Sequence, residues 1–236
     1  MASIHLFGGE KGGVGKSMVC RSACDVLMSR NIKYSLFEAD RSNPDVRRIY
    51  GQKTKCKLVI FSEGQKYEDA ANRLYEQGIR RRTLVNLPAQ VLPALHRWFD
   101  DNDILNLAAE DGVVFHHWFI SNGSWDSLSL FKRYVERFPS PTMQHYFVKN
   151  LGITEDFSGF DEDDALMGLV KEHNIPVLEF PRFHGAATRN RIDAESMTFT
   201  QAADADNGFN SIDRRRVKTF LGKADNFFAA SGAFHD

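Results

Sequence analysis

The stretch Glu10-Lys11-Gly12-Gly13-Val14-Gly15-Lys16-Ser17 constrains this chain most, because an apolar run at residues 3 to 8 precedes it and a helical pattern from about 16 to 30 follows. Glycines at 12, 13 and 15 let successive backbone N–H groups turn inward around an anion, a curvature that side chains would obstruct. Val19, Ala23, Val26 and Leu27 recur at helical spacing, and the helix they predict presents its positive N-terminal end to the same point. A strand, a glycine loop ending in Gly-Lys-Ser and a helix together make a phosphate-binding P-loop. In such a unit Lys16 reaches the β and γ phosphates of a nucleoside triphosphate, and the Ser17 hydroxyl ligates Mg²⁺. The first position of the pattern, normally glycine, holds Glu10.

Downstream, strand and helix patterns alternate. Strands are predicted over 34–40, 83–88, 113–120, 144–149 and 176–180, and helices over 66–77, within 91–109, over 124–137 and over 161–173. A terminal helix is predicted over 211–230, where Val217, Phe220, Leu221, Ala224, Phe227 and Phe228 share one face. This alternation implies a doubly wound α/β fold: a mostly parallel sheet with helices on both faces, in three layers. Ligands of such sheets sit at the carboxyl ends of the strands. Residues 184–210 have weak periodicity and many small polar side chains, which reads as a long surface connection with partial helix. With 236 residues, one domain spanning 1–236 is expected.

Composition narrows the function. A formal net charge of −1 gives no global attraction to nucleic acid, so such contact would need a local patch, Arg80–Arg82 or Arg214–Arg216 with Lys218 and Lys223. No apolar run approaches the roughly 20 residues needed to span a bilayer, and no signal peptide pattern opens the chain, so a cytoplasmic location is expected. Cys20, Cys24 and Cys56 are too few for a disulfide framework or a four-ligand zinc site, and the first two read as small core residues. His116 and His117 are neighbours on a strand, point to opposite faces and cannot chelate together.

Lys11, ahead of Gly-Gly-Val-Gly-Lys16-Ser17, makes the loop resemble the deviant Walker A motif of the ParA/MinD superfamily of ATPases. The resemblance implies ATP and Mg²⁺ as cofactors, with Gly12, Gly13, Val14, Gly15, Lys16, Ser17 and Met18 at the nucleotide. It also implies that Lys11 reaches across a dimer interface to the partner's nucleotide, so that ATP holds a homodimer together and hydrolysis releases it. In Glu38-Ala39-Asp40 the resemblance places Asp40 beside the attacking water and the metal, and Glu38 near the metal's outer shell. Leu84-Val85-Asn86-Leu87-Pro88 corresponds to the Walker B strand, but Asn86 stands where the family has aspartate and brings no negative charge to Mg²⁺. Asn150 ends a later strand where family members place an asparagine against adenine. No guanine-reading Asn-Lys-x-Asp element is present, which favours ATP over GTP.

Within the superfamily, Ser17-Met18, Asn86 and the aromatic second half look most like the plasmid mobilisation and conjugal transfer branch, the MobD- and TraL-like ATPases. The expected function is therefore an ATP-gated dimerising switch serving plasmid DNA transfer or partition, with plasmid DNA or DNA-transfer proteins as partners. Two other readings stay open: an ATP-dependent biosynthetic ligase of the same superfamily, and a nucleotide-binding interaction protein with weak or no hydrolysis.

Overall fold

A computed structural model of the chain describes residues 2–62, 64, 69–139 and 141–234. Among these, seven strands form one sheet: β1 (Ser3–Gly8), β2 (Ser35–Glu38), β3 (Lys57–Leu58), β4 (Thr83–Asn86), β5 (Val114–Ser121), β6 (Met143–Asn150) and β7 (Val177–Phe180). Their order is β3-β2-β4-β1-β5-β6-β7. Every recorded pairing is parallel, with Phe7 level with Asn86 on one side and Trp118 on the other. Parallel strands need crossovers, and helices supply them on both faces.

Side-chain alternation along the strands separates two cores. Ile4, Leu6, Val85, Phe115, Phe119 and Phe147 face one core, which is closed by α3 (Asn72–Gly78), α4 (Leu92–Asp101), α5 (Ile104–Asp111), α6 (Trp125–Arg137), α7 (Ser158–Asp161) and α8 (Asp164–Glu172). Phe7, Leu36, Leu84, Trp118, Tyr146 and Val148 face the other, which is closed by α1 (Lys16–Ser29), α2 (Asp45–Thr54), α9 (Ala186–Ala194), α10 (Phe199–Ala203) and α11 (Ser211–Ala230). Cys20 and Cys24 are fully buried on α1, as small core residues. His116 stacks on His5 while His117 meets His145, on opposite faces of the sheet.

Several elements differ from the sequence expectation. The region 91–109 holds two helices, because the chain turns at Asn102 and Asp103, the latter with a left-handed φ of 48°. The helix expected at 161–173 begins later, where the Asp163 carboxylate caps the N–H groups of Ala165 and Leu166. Of the helix expected at 66–77, residues 66–68 lie outside the described residues, and the observed helix covers Asn72–Gly78. Helix α2 was not foreseen, although Val46, Ile49 and Tyr50 recur at i, i+3 and i+4 and are all buried.

The largest correction concerns 184–210: the partial helix is present as α9 and α10, but the segment anchors into the core and does not merely cross the surface. Ile192, Phe199, Ala202 and Phe209 are buried in that core, and Thr198 forms a capping box with Gln201 at the start of α10. Helices of nine and five residues are too short to show a period, so their few apolar anchors read as loop.

Candidate nucleotide-binding site

The loop between β1 and α1 lies at the carboxyl end of the central strand. It opens on Gly9, whose φ of +143° and distance from Ile120 exclude any side chain: a Cβ there would lie 2.4 Å from that carbonyl oxygen. Its last turn is Gly15, the residue preceding α1, with φ +97°. A Cβ at Gly15 would lie 2.2 Å from Asn150 Nδ2. That amide donates to Val14 O at 2.7 Å, while Asn150 Oδ1 accepts from Gly152 N at 3.0 Å. Asn150 therefore braces the loop from the end of β6.

Lys16 is buried, and its Nζ donates to Lys11 O at 2.9 Å across the inside of the loop. Burial lowers its pKa, while the carboxylates of Asp40 and Glu10 pull it back up. Glu10, the departure from glycine at the head of the motif, turns away from the cradle. Its Oε1 accepts from Tyr134 Oη at 2.9 Å and its Oε2 from Leu92 N at 3.3 Å, at the first turn of α4. Gln90 N donates to Glu10 O at 3.1 Å. The loop is thus tied to α4 and α6, a role that no local pattern in the sequence signals. Burial raises the Glu10 pKa, against the Tyr134 and Leu92 hydrogen bonds.

Glu38, Asn86 and Ser17 form a chain beneath the loop. Asn86 Nδ2 donates to Glu38 Oε1 at 2.8 Å and lies 3.3 Å from Ser17 Oγ. The other oxygen of Glu38 accepts from Val46 N and Arg47 N, so this carboxylate caps the first turn of α2. Burial pushes its pKa up to about 7, opposed by the Asn86 and backbone hydrogen bonds. Asp40 lies beyond the end of β2, where alternation no longer governs direction, and its Oδ1 accepts from Ser42 N and Asn43 N at 3.0 Å each. It stays near enough to Lys16 and Glu38 to act on both electrostatically.

Among the described residues, no group of three or more His, Cys, Asp or Glu could hold a metal by itself. A P-loop does not need one, since its Mg²⁺ rests on one hydroxyl, phosphate oxygens and waters. Asn86 Oδ1 is buried and has no hydrogen-bond partner among the described residues, which fits an acceptor for a metal-bound water next to Ser17 Oγ. Asn86→Asp would set a second carboxylate where Nδ2 now lies 2.8 Å from Glu38. Without Mg²⁺ the variant is expected to lose about 2 kcal/mol of stability through like-charge repulsion. Mg²⁺ with ATP should restore that loss and raise turnover above wild type. Calorimetric melts with and without Mg²⁺-ATP, beside phosphate release, check this; a metal-independent melt with an unchanged rate would refute it.

Two cavities flank the loop. One, of about 220 Å³, is lined by Gly15, Ser17, Met18, Arg21, Asn150 and Pro181. The other, about 730 Å³ and open, is lined by Lys11, Gly12, Gln90, Trp125, Asp126 and Arg133. Lys11 Nζ donates to Asp126 Oδ2 at 2.6 Å and lies 3.4 Å from Ser124 Oγ, so it points along the start of α6 and not into its own loop. Trp125 beside it is 79% exposed. The structure thus gathers Lys16, Ser17, Glu38, Asp40 and Asn86 on one side of the loop and holds Lys11 on the other. Sequence reasoning missed Glu10 as an anchor, and Arg21 and Trp125 as wall residues.

The parallel sheet, the loop after its central strand and the helices on both faces define a P-loop NTPase α/β fold of the MinD type. No protein-family model matches the chain. Among solved structures it is similar to the cell division ATPase MinD of Pyrococcus furiosus, with TM-score 0.57, 12% identity and coverage of 98% of this chain and 99% of that one. A chain of the MinC:MinD cell division protein complex of Aquifex aeolicus superimposes with TM-score 0.54 at 12% identity, over 97% and 96% of the two chains. By sequence the chain is similar to protein MobD of Acidithiobacillus ferrooxidans, 33% identical over 140 residues, which make up 58% of this chain and 60% of that protein's length. These likenesses agree with the ParA/MinD resemblance carried by Lys11 and with its mobilisation branch. Among the described residues no helix is long and apolar enough to cross a membrane.

Proposed function

We propose that this chain is an ATP- and Mg²⁺-binding dimerisation switch of the ParA/MinD type, acting in the cytoplasm in plasmid mobilisation, conjugal transfer or partition. The observation that carries the reading is the placement of Lys11. Its ammonium stands on the open face of the loop, beside a bare indole and a large concavity. A second copy arriving there would receive Lys11 at its own phosphates, where a cation in a closed, dry site offsets charge developing on the transferred group. Trp125 would supply the apolar anchor of that contact, as buried tryptophans do at interface centres.

The loop N–H groups and Lys16 would hold the β and γ phosphates, Ser17 the metal, and Met18 and Asn150 would flank the rest of the nucleotide. Asp40 would orient the attacking water. Similarity to MobD supports the DNA-transfer setting. A cationic groove of about 350 Å³, with Arg182, Arg215, Arg216 and Lys223 in its walls, is the surface best suited to plasmid DNA. Of Arg80–Arg82, Arg82 is buried against Phe234, which breaks up the other basic cluster. A second reading, a nucleotide-binding partner protein with little or no hydrolysis, is favoured by Asn86 and by a Glu38 already engaged in capping α2.

Light scattering with ADP, ATP and a non-hydrolysable analogue tests the switch, with phosphate release in parallel. Wild type is expected to dimerise only with triphosphate. Trp125→Ala should melt like wild type, within about 0.5 kcal/mol, yet weaken the dimer tenfold or more. A monomer under every condition would refute dimerisation, and tight binding without turnover would leave the second reading standing.

A further inference from the structure

Arg21, one of the residues that line the smaller cavity, has a guanidinium with more donors than partners among the described residues. Arg21 follows Ser17 by four residues and Met18 by three, so it shares their face of α1. Helical side chains lean toward the N-terminus of their helix, which here is the phosphate loop. Arg21 is only 4% exposed. Its Nη1 donates to Asp193 Oδ1 at 2.6 Å, and its guanidinium lies over the Phe199 ring, 4.6 Å from the centroid. Those two contacts fix the plane and one end of the group. The remaining edge, Nε and Nη2, is buried and has no hydrogen-bond partner among the described residues.

Buried unpartnered donors are rare in folded proteins because the lost hydration is not replaced. Nε–H and Nη2–H point the same way and form the two-pronged edge that matches two oxygens of a phosphate or carboxylate. That edge belongs to a residue lining the cavity beside Gly15, Ser17 and Met18. Met18 offers an anion no side-chain donor, so beyond the Ser17 hydroxyl the next donor on this face of the helix is Arg21.

We propose that Arg21 binds the α-phosphate of the nucleotide through Nε and Nη2, which a small shift of the side chain on nucleotide entry bares to the cavity, with Asp193 and Phe199 orienting the guanidinium; this rests on the nucleotide-site reading above. Because the α-phosphate is common to ATP, ADP and GTP, the contact adds affinity without reading the base or the γ-phosphate. It also links the nucleotide to α9 and α10, which carry Asp193 and Phe199.

Titration calorimetry of ATP, ADP and GTP with wild type, Arg21→Met, Arg21→Lys and Asp193→Ala tests the assignment, with melting curves of the nucleotide-free proteins alongside. Arg21→Met is expected to weaken ATP and ADP alike by tenfold or more, with the ATP-to-GTP affinity ratio unchanged. Arg21→Lys, which keeps the charge but not the fork, should lose at least threefold, and it decides the matter if Arg21→Met does not fold. Asp193→Ala, which keeps both Arg21 donors but loosens the guanidinium, should lose about threefold, clearly less than Arg21→Met, even if it melts as early. Affinity within twofold of wild type in Arg21→Lys overturns the proposal. So does an equal loss in Asp193→Ala, which would make Arg21 only a strut for α9, or a shifted ATP-to-GTP ratio, which would place the contact on the base. Wild type binding no nucleotide, or Lys16→Ala binding it normally, would instead refute the nucleotide-site reading itself.

Discussion

Lys16→Ala is expected to bind ATP at least about a hundredfold more weakly than wild type, whereas Lys11→Ala binds it almost normally as a monomer. The Lys16 ammonium is buried with one hydrogen bond, to Lys11 O, and burial already lowers its pKa. It is a buried cation, eased by Asp40 and Glu10 at a distance, that an incoming phosphate would contact directly. Two charge-assisted contacts to phosphate, at roughly 1.5 to 3 kcal/mol each, amount to two orders of magnitude or more in affinity. Lys11 contributes differently. Its ion pair with Asp126 joins side chains that are 33% and 57% exposed, so losing it costs the fold at most about 1 kcal/mol. Titration calorimetry on both variants gives the answer, and an equal loss of monomer binding in the two would defeat the assignment of Lys11 to a partner's nucleotide.

Acidification from pH 7 to pH 5 is expected to remove on the order of 3 kcal/mol of folding stability. Burial holds His5 and His117 well below their usual value of 6.5, with neighbouring His116 and His145, respectively, adding to the effect. Burial also brings His116 and His145 down to about 4. An imidazole with a depressed folded pKa binds more protons when the chain is unfolded, so stability is lost as pH falls from about 6.5 toward the folded value. Over this range each of the four loses up to roughly 2 kcal/mol. Three carboxylates oppose them. Glu38, raised to about 7, and Glu10 and Asp25, raised by burial, bind more protons when folded, so their contribution recovers as pH falls. They offset part of that loss. Urea unfolding at pH 7, 6 and 5 measures the balance, and a stability that is flat or rises toward pH 5 would refute the expectation that the imidazoles outweigh the carboxylates.

The two predictions rest on parts of the molecule that were unequally legible. Gly12, Gly13, Gly15, Lys16 and Ser17 act through backbone curvature and short reach, so contiguous residues disclose the cradle. Six of the seven strands were readable as short apolar runs, whereas β3, two exposed residues long, was not. Trp125 and Arg21 were not, since a tryptophan in an amphipathic helix reads as core and an arginine as surface. Only the packing around them shows the first to be bare and the second buried. Glu10 departs from the motif's glycine for a reason that local sequence does not carry: Tyr134, 124 positions along, holds it.

The sequence by itself determined a phosphate loop between a strand and a helix, an alternating α/β chain with a parallel sheet, and a lysine in excess of what one loop needs. These follow from local conformational preference and periodicity, which neighbouring residues encode. Tertiary structure alone decided that 184–210 packs into the core, that Glu38 caps α2 while bonded to Asn86, that Lys11 rests on Asp126, and that Arg21 keeps two donors free. Each of these depends on groups brought together from distant positions, and their burial and pairing arise only when the sheet and its two helical layers close.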